Sequence, residues 1–125
     1  MPTLIDSSVW IEYFRNGTSY EKVDFLIDEN LVVINNLILA ELIPFLKLKN
    51  HRKLVQLLSN VNKLLVTVDW EQLVDFQYTC LKNGLNGVGI PDLIIVQNAV
   101  QHNCKIYSLD KHFLEMSRLL AFDIF

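Results

Sequence analysis

The chain has 125 residues and a mass of 14.5 kDa, the size of one ordinary domain. Hydrophobic residues make up 51% and charged residues 20%, which excludes a disordered tail, and four Gly with three Pro exclude collagen-like and low-complexity chains. A net charge of −3, from 11 basic and 14 acidic side chains, excludes a uniformly basic nucleic-acid coat.

In chain order, TLID at 3–6 is a short apolar run that ends in an acid, read as the first strand. SSVWIEYF follows as a helix, with Ser7 or Ser8 as its cap and Asn16-Gly17 as its stop. Thr18 and Glu21 have the spacing of a capping box for a second helix, with Val23, Leu26 and Ile27 on one face. LVVI at 31–34 is a buried-strand pattern. Asn35 or Asn36 then caps a helix to about residue 49, and another helix covers about 51–60. LLVTV at 64–68 reads as the third strand, and Asp69 with Gln72 opens a helix to about residue 82. After the Gly-rich loop NGLNGVG, Pro91 suits the first turn of a helix to about residue 102. KIYSL at 105–109 is a fourth strand, DKHFLEM a short helix and AFDIF a short terminal strand.

Strands alternating with helices imply parallel pairing and right-handed crossovers. Continuously apolar strands fit a sheet covered on both faces. The expected fold is a single α/β domain over 1–125, a three-layer α/β/α sandwich around a mostly parallel five-stranded sheet. No apolar run approaches the roughly 18–20 residues a bilayer span needs. The N-terminus has no secretory pattern, so the expected compartment is the cytoplasm. Cys80 and Cys104 lack metal spacing and read as core thiols.

Acids stand where packing does not ask for them. Asp6 ends the first strand, at the edge where open α/β sheets bind ligands beside the reversal of strand order. Asp110 follows the fourth strand in the same way, so the two converge if those strands are neighbours. A helix cap is the other reading of each. Glu41 has Leu37, Ile38, Leu42 and Phe45 as helical neighbours and so falls within an apolar stripe. Pro44 removes a helix bond to the Ala40 carbonyl and predicts a kink close by. Asp92 has Ile95, Val96 and Ala99 on its face; the helix dipole accounts for its position but not for its facing inward. Four carboxylates around one cleft repel unless a cation sits among them or some hold protons. An all-oxygen set suits Mg²⁺ or Mn²⁺, and no His or Cys cluster competes for zinc. Setting those four acids aside turns the net charge from −3 to +1, so a polyanionic substrate fits the remaining surface.

These residues, in this order, resemble the PIN domain, and within it the VapC-type toxins of toxin–antitoxin pairs. LIDSSVWIEYF resembles the family's first motif, LILAELIPFL its Glu-bearing helix, GIPDLIIVQNAV its Asp-bearing helix start, and YSLDKHF its Ser/Thr-x-Asp/Asn element. The likeness spans essentially the whole chain. It implies a divalent-metal-dependent endoribonuclease hydrolysing RNA phosphodiesters. By position, Asp6, Glu41, Asp92 and Asp110 would form the acidic site. Asp6 and Asp92 would be direct ligands of Mg²⁺ or Mn²⁺, with Glu41 and Asp110 completing the shell partly through water. Ser8 and Ser108 match polar positions that support these acids. The chain departs from the family in DLIIVQNAV, where many relatives carry smaller residues, and in Ser108 for the commoner Thr. The resemblance also implies a homodimer and a cognate antitoxin.

Lys47, Lys49, Arg52 and Lys53, with His51, are the one basic concentration, readable as a solvated turn or as a phosphate-contacting rim. Arg15 and Lys111, with His112, flank the strand ends that carry Asp6 and Asp110 and are further candidates for RNA contact. Trp10, Tyr13 and Phe14 read as core. The competing functions are a catalytically silent PIN-like binding module and a phosphoacceptor receiver domain. The receiver reading would use Asp69 but lacks paired acids after the first strand. A haloacid-dehalogenase-like phosphatase would need an acid where Ser8 stands.

Overall fold

The computed structural model describes residues 1–15 and 20–125, Tyr20 by its backbone alone. The expected stop at Asn16-Gly17 and the cap at Thr18 lie outside the described residues. The elements are β1 (Thr3–Ile5), α1 (Ser7–Phe14), α2 (Tyr20–Asp28), β2 (Val32–Asn35), α3 (Asn36–Leu48) and α4 (Arg52–Ser59). Then come β3 (Asn62–Leu64), α5 (Trp70–Lys82), α6 (Ile90–Gln101), β4 (Lys105–Tyr107) and α7 (Lys111–Leu120).

The strands lie in the order β3-β2-β1-β4, all parallel. The chain steps from β1 to β2 to β3, then returns past β1 to β4. The reversal therefore falls between β1 and β4, with Asp6 at the carboxyl end of one and Ser108 at that of the other. Right-handed crossovers put the helices of the outward steps on one face and those of the return on the other. The packing agrees: α1 lies against α2 and α3, α3 against α4, and α5 against α6 and α7. Leu4, Ile5, Ile34 and Ile106 of the sheet are fully buried between Trp10, Ile38 and Leu42 from the first helices and Leu93, Val96 and Phe113 from the last.

Two strand expectations are corrected. The sheet has four strands rather than five. After Ala121, which turns left-handed (φ 56°), the segment that follows touches β4 through a single Ile106–Ile124 bridge instead of a ladder. The third strand is Asn62–Leu64, not 64–68. Beyond Leu64 the backbone is held by side chains of α6 instead of by a strand. Asn98 Nδ2 donates to the Leu65 carbonyl (2.9 Å) and Gln101 Nε2 to that of Thr67 (2.9 Å). Gln97 takes both polar groups of Asp69, accepting from its N–H (3.0 Å) and donating to its carbonyl (3.0 Å). Apolar composition called for a strand, but the ladder needs a partner, and the partner here is a helix. Helix α7 also runs further than expected, to Leu120. Cys80 and Cys104 are free and buried, and burial pushes both thiols up, as inert core residues require.

Candidate active site

Asp6 stands at the cap position of α1, yet its carboxylate caps nothing. Neither Ser7 nor Ser8 caps the helix either. The Ser8 hydroxyl donates to Asp6 Oδ2 (2.9 Å), and the Ser108 hydroxyl donates to the same oxygen (2.8 Å). Each hydroxyl is in turn aligned by a backbone donor: Leu109 N–H to Ser8 Oγ (3.1 Å) and Asp110 N–H to Ser108 Oγ (3.0 Å). The register explains the meeting, since Ile5 pairs with Tyr107 and the next residues are Asp6 and Ser108. Asp6 as a whole is only 7% exposed. Both hydroxyls fall on Oδ2, so Oδ1 takes no hydrogen bond among the described residues and is not sealed from solvent.

The other three acids arrive on helices. Asp92 is half-buried in the first turn of α6, close to the Gly89 backbone. Burial first, then the charges of Asp6 and Asp110, push its carboxyl above the ordinary value, against a smaller pull from His112 and the Gly89 backbone. Glu41 is corrected in one respect: its side chain is exposed, not sunk in an apolar stripe. Ile38 and Leu42 beside it are buried, while Glu41 itself stands exposed within reach of the charges of Asp6 and Asp92. Its base still lies in protein dense enough that lost solvation, followed by Asp6 and Asp92, raises its carboxyl. The helix runs unbroken through Pro44. Asp110 does cap α7, accepting from the His112 N–H (2.9 Å), and its Oδ1 lies 3.4 Å from His112 Nδ1. The cap reading of this residue holds, and its position at the end of β4 also brings its charge to bear on Asp92.

Among the described residues no lysine or arginine pairs with any of the four acids; the only ion pair is His112 with Asp110. Asp6, Glu41 and Asp92 are a mutually repelling, partly desolvated all-oxygen set whose chemistry suits a hard divalent ion. Among the described residues, however, no group of three His, Cys, Asp or Glu is placed to hold a metal ion together. An ion there would be held by one or two carboxylates, with water and substrate phosphates in its remaining positions, as Mg²⁺ allows.

The basic residues lie elsewhere. Lys47, His51 and Arg52 line a cavity of about 450 Å³ at the α3–α4 junction, with Lys49 and Lys53 exposed nearby in sequence. Lys47 is six residues beyond Glu41, roughly 9 Å along the helix. Arg15 belongs with this group and not with the Asp6 strand end. It follows the last turn of α1, its guanidinium 6.0 Å from the Phe45 ring centroid. Lys111 is exposed and adjoins Asp110. Trp10 is fully buried, stacked on Phe14 (centroids 6.0 Å apart). Asp69 serves as the cap of α5, accepting from Gln72 N–H (3.2 Å), which accounts for it without a phosphoacceptor role.

Sequence reasoning missed the role of Gln97 and Asn98. Two adjacent amides inside the apolar helix IPDLIIVQNAV were the available clue, because amides are seldom buried without partners.

The sequence matches the family model described as the PIN domain over residues 3–119. No curated protein matches it. Among solved structures, VapBC2 from Rickettsia felis, bound to a promoter DNA fragment, is similar at TM-score 0.78 and 20% identity, covering 100% of this chain and 98% of the other. DNA-bound VapBC from Salmonella typhimurium is similar at TM-score 0.77 and 16% identity, over 100% and 97%. FitAcB from Neisseria gonorrhoeae follows at TM-score 0.71 and 17% identity, over 98% and 96%. At these identities the likeness is one of fold.

Proposed function

The chain belongs to the PIN-domain family, and on that premise we propose that it is a divalent-metal-dependent endoribonuclease, the toxin of a toxin–antitoxin pair. The observation that carries the proposal is the juxtaposition of Asp6, Glu41, Asp92 and Asp110 at the reversal of strand order, with no lysine or arginine among the described residues to neutralise them. Asp6 and Asp92 would hold Mg²⁺ or Mn²⁺, with Glu41 and Asp110 acting partly through water. When bound, such an ion neutralises phosphate charge and acidifies water for in-line attack. The chain's own part is orientation. Ser8 and Ser108 fix Asp6 through Oδ2 and leave Oδ1 for the cleft. Lys47, Lys49, Arg52, Lys53, Arg15 and Lys111 would meet backbone phosphates away from the cut, contributing affinity without sequence preference.

The test is RNA cleavage by the purified chain with Mn²⁺ and with a chelator. Cleavage is expected with Mn²⁺ only, and to vanish in Asp6→Asn. Full activity in Asp6→Asn, or undiminished cleavage in chelator, overturns the proposal. A catalytically silent PIN-like binding module is the second reading, favoured by the open arrangement of the acids. It requires RNA binding without cleavage at any Mn²⁺ concentration.

A further solved structure of similar fold, from Klebsiella pneumoniae (TM-score 0.63, 16% identity), is described as a toxin–antitoxin complex, which supports a cognate antitoxin here. A homodimer is the other expected assembly. Trp70, Val74, Tyr78 and Leu81 form one stripe on α5 and are 53% to 67% exposed. Glu71 and Asp75 flank its first half and Lys82 its end, so an antiparallel pairing of two copies sets Lys82 opposite Glu71. Sedimentation is expected to give twice the 14.5 kDa chain mass, and the chain mass alone in a Trp70→Glu, Tyr78→Glu double variant. A wild-type monomer at micromolar concentration rules out the dimer.

A further inference from the structure

Asn35 ends β2 and is fully buried. Its Oδ1 accepts from the Ile38 N–H (2.9 Å), capping α3, and its Nδ2 donates to Asn98 Oδ1 (2.9 Å). Asn98, 1% exposed, passes the chain on by donating Nδ2 to the Leu65 carbonyl (2.9 Å). Each amide is used at both ends. A directed run of hydrogen bonds therefore leads from the first turn of α3, across α6, to the backbone just beyond β3. Among the described residues the Asn35–Asn98 bond is the only side-chain hydrogen bond joining α3 with its cap to α6. It also lies level with the site, because Leu4 pairs with Val33 and two residues further on stand Asp6 and Asn35.

We propose that the buried Asn35–Asn98 pair is a positioning element of the acidic cleft, fixing the helix that bears Glu41 relative to the helix that bears Asp92. Glu41 lies six residues beyond Asn35 on α3, and Asp92 six residues before Asn98 on α6. That is roughly 9 Å along each helix, so a small change at the amide hinge is carried to the acids. The two acids repel one another before any cation arrives, and the repulsion acts to part the helices. Breaking the pair would leave a buried amide unsatisfied, so the bond opposes that separation. Gln97 and Gln101, on the same helix, bond only to the 65–72 segment and have no such link to α3.

The inference rests on the metal-dependent reading above, and its test separates the two. Asn35→Ser keeps an oxygen that can cap α3 but is too short to reach Asn98. Gln101→Ala removes the bond to Thr67 and serves as the control. Mn²⁺ binding to the metal-free full chain is measured by calorimetry, and RNA cleavage at saturating Mn²⁺, both at a temperature where circular dichroism shows every variant folded. Asn35→Ser is expected to bind Mn²⁺ roughly tenfold more weakly, the lower end of what supporting partners of metal ligands contribute. Its kcat should fall by a similar factor while KM for RNA stays within about twofold, and Gln101→Ala should match the wild type in Mn²⁺ affinity. If Asn35→Ser does not fold, Asn98→Ser removes the same bond from the other side and is held to the same criteria. Wild-type Mn²⁺ affinity and kcat in a variant that has only lost thermal stability overturn the inference and leave the functional reading standing. A wild-type chain that neither binds Mn²⁺ nor cleaves RNA overturns both.

Discussion

Asp92→Asn is expected to lower Mn²⁺-dependent RNA cleavage by about a thousandfold or more, the upper range for losing a group that stabilises the reacting centre, and to raise the melting temperature of the metal-free chain at neutral pH. The two effects share one cause. Asp92 is held half-buried beside Asp6 and Asp110, an arrangement that disfavours its charge. Its folded carboxyl therefore titrates higher than its unfolded one. Folding with the protonated form is favoured below the unfolded value, and that contribution is lost as pH rises through the folded value. At neutral pH the wild type bears the repulsion and the amide does not, so the variant melts a few degrees higher. At a pH below both values the difference disappears. Glu41→Gln should follow the same direction more weakly, because its exposed side chain is better screened. Saturating Mn²⁺ should reverse the order by stabilising the wild type alone. Thermal melts at pH 3 and 7.5, with and without Mn²⁺, provide the check. An Asp92→Asn variant that melts lower than wild type in chelator at pH 7.5 contradicts the account.

Gln97→Leu is the largest expected loss of stability. Gln97 is 1% exposed and makes three hydrogen bonds, to the N–H and carbonyl of Asp69 and to Gln72 Oε1 (2.7 Å). Leucine fills a similar volume but leaves the Asp69 N–H without this partner, while the Asp69 carbonyl keeps only the Leu73 N–H (3.1 Å). At about 1–3 kcal/mol for a buried group left unmade, the loss should reach roughly 2 kcal/mol, measurable by urea denaturation. The damage is local to the start of α5, so Mn²⁺ affinity should hold in the folded fraction. A loss below about 0.5 kcal/mol, the range of ordinary surface substitutions, would mean that water replaces the amide without penalty.

The parts of the fold legible in the sequence were those whose cause is local. Asn35, Asp69 and Asp110 each cap the helix they were expected to open, accepting from Ile38, Gln72 and His112. The short buried strands and their parallel order follow from composition and alternation. What was not legible depended on partners distant in the chain. LLVTV has strand composition, and only the amides of α6, some thirty residues on, decide that it ends at Leu64. Glu41 stands out in the sequence because it interrupts apolar neighbours, but helical spacing gives direction and not cover, and its side chain is exposed. The Asp6 environment was visible as a set of polar positions. That both hydroxyls converge on one oxygen follows from the register of β1 with β4, which no local pattern encodes. The basic group at 47–53 was visible as composition, while its distance along α3 from the acids became clear only with the helix in place.

The clamp on Asp6 joins Ser8 to Ser108 across a hundred positions of chain. A polypeptide still emerging from the ribosome carries the first acid with only one of its two hydroxyl donors, and lacks both Asp110 and the strand that precedes it. The acidic cleft can therefore assemble only after the chain has been made past Asp110. On the reading proposed above, a nascent chain would have no activity before that stage.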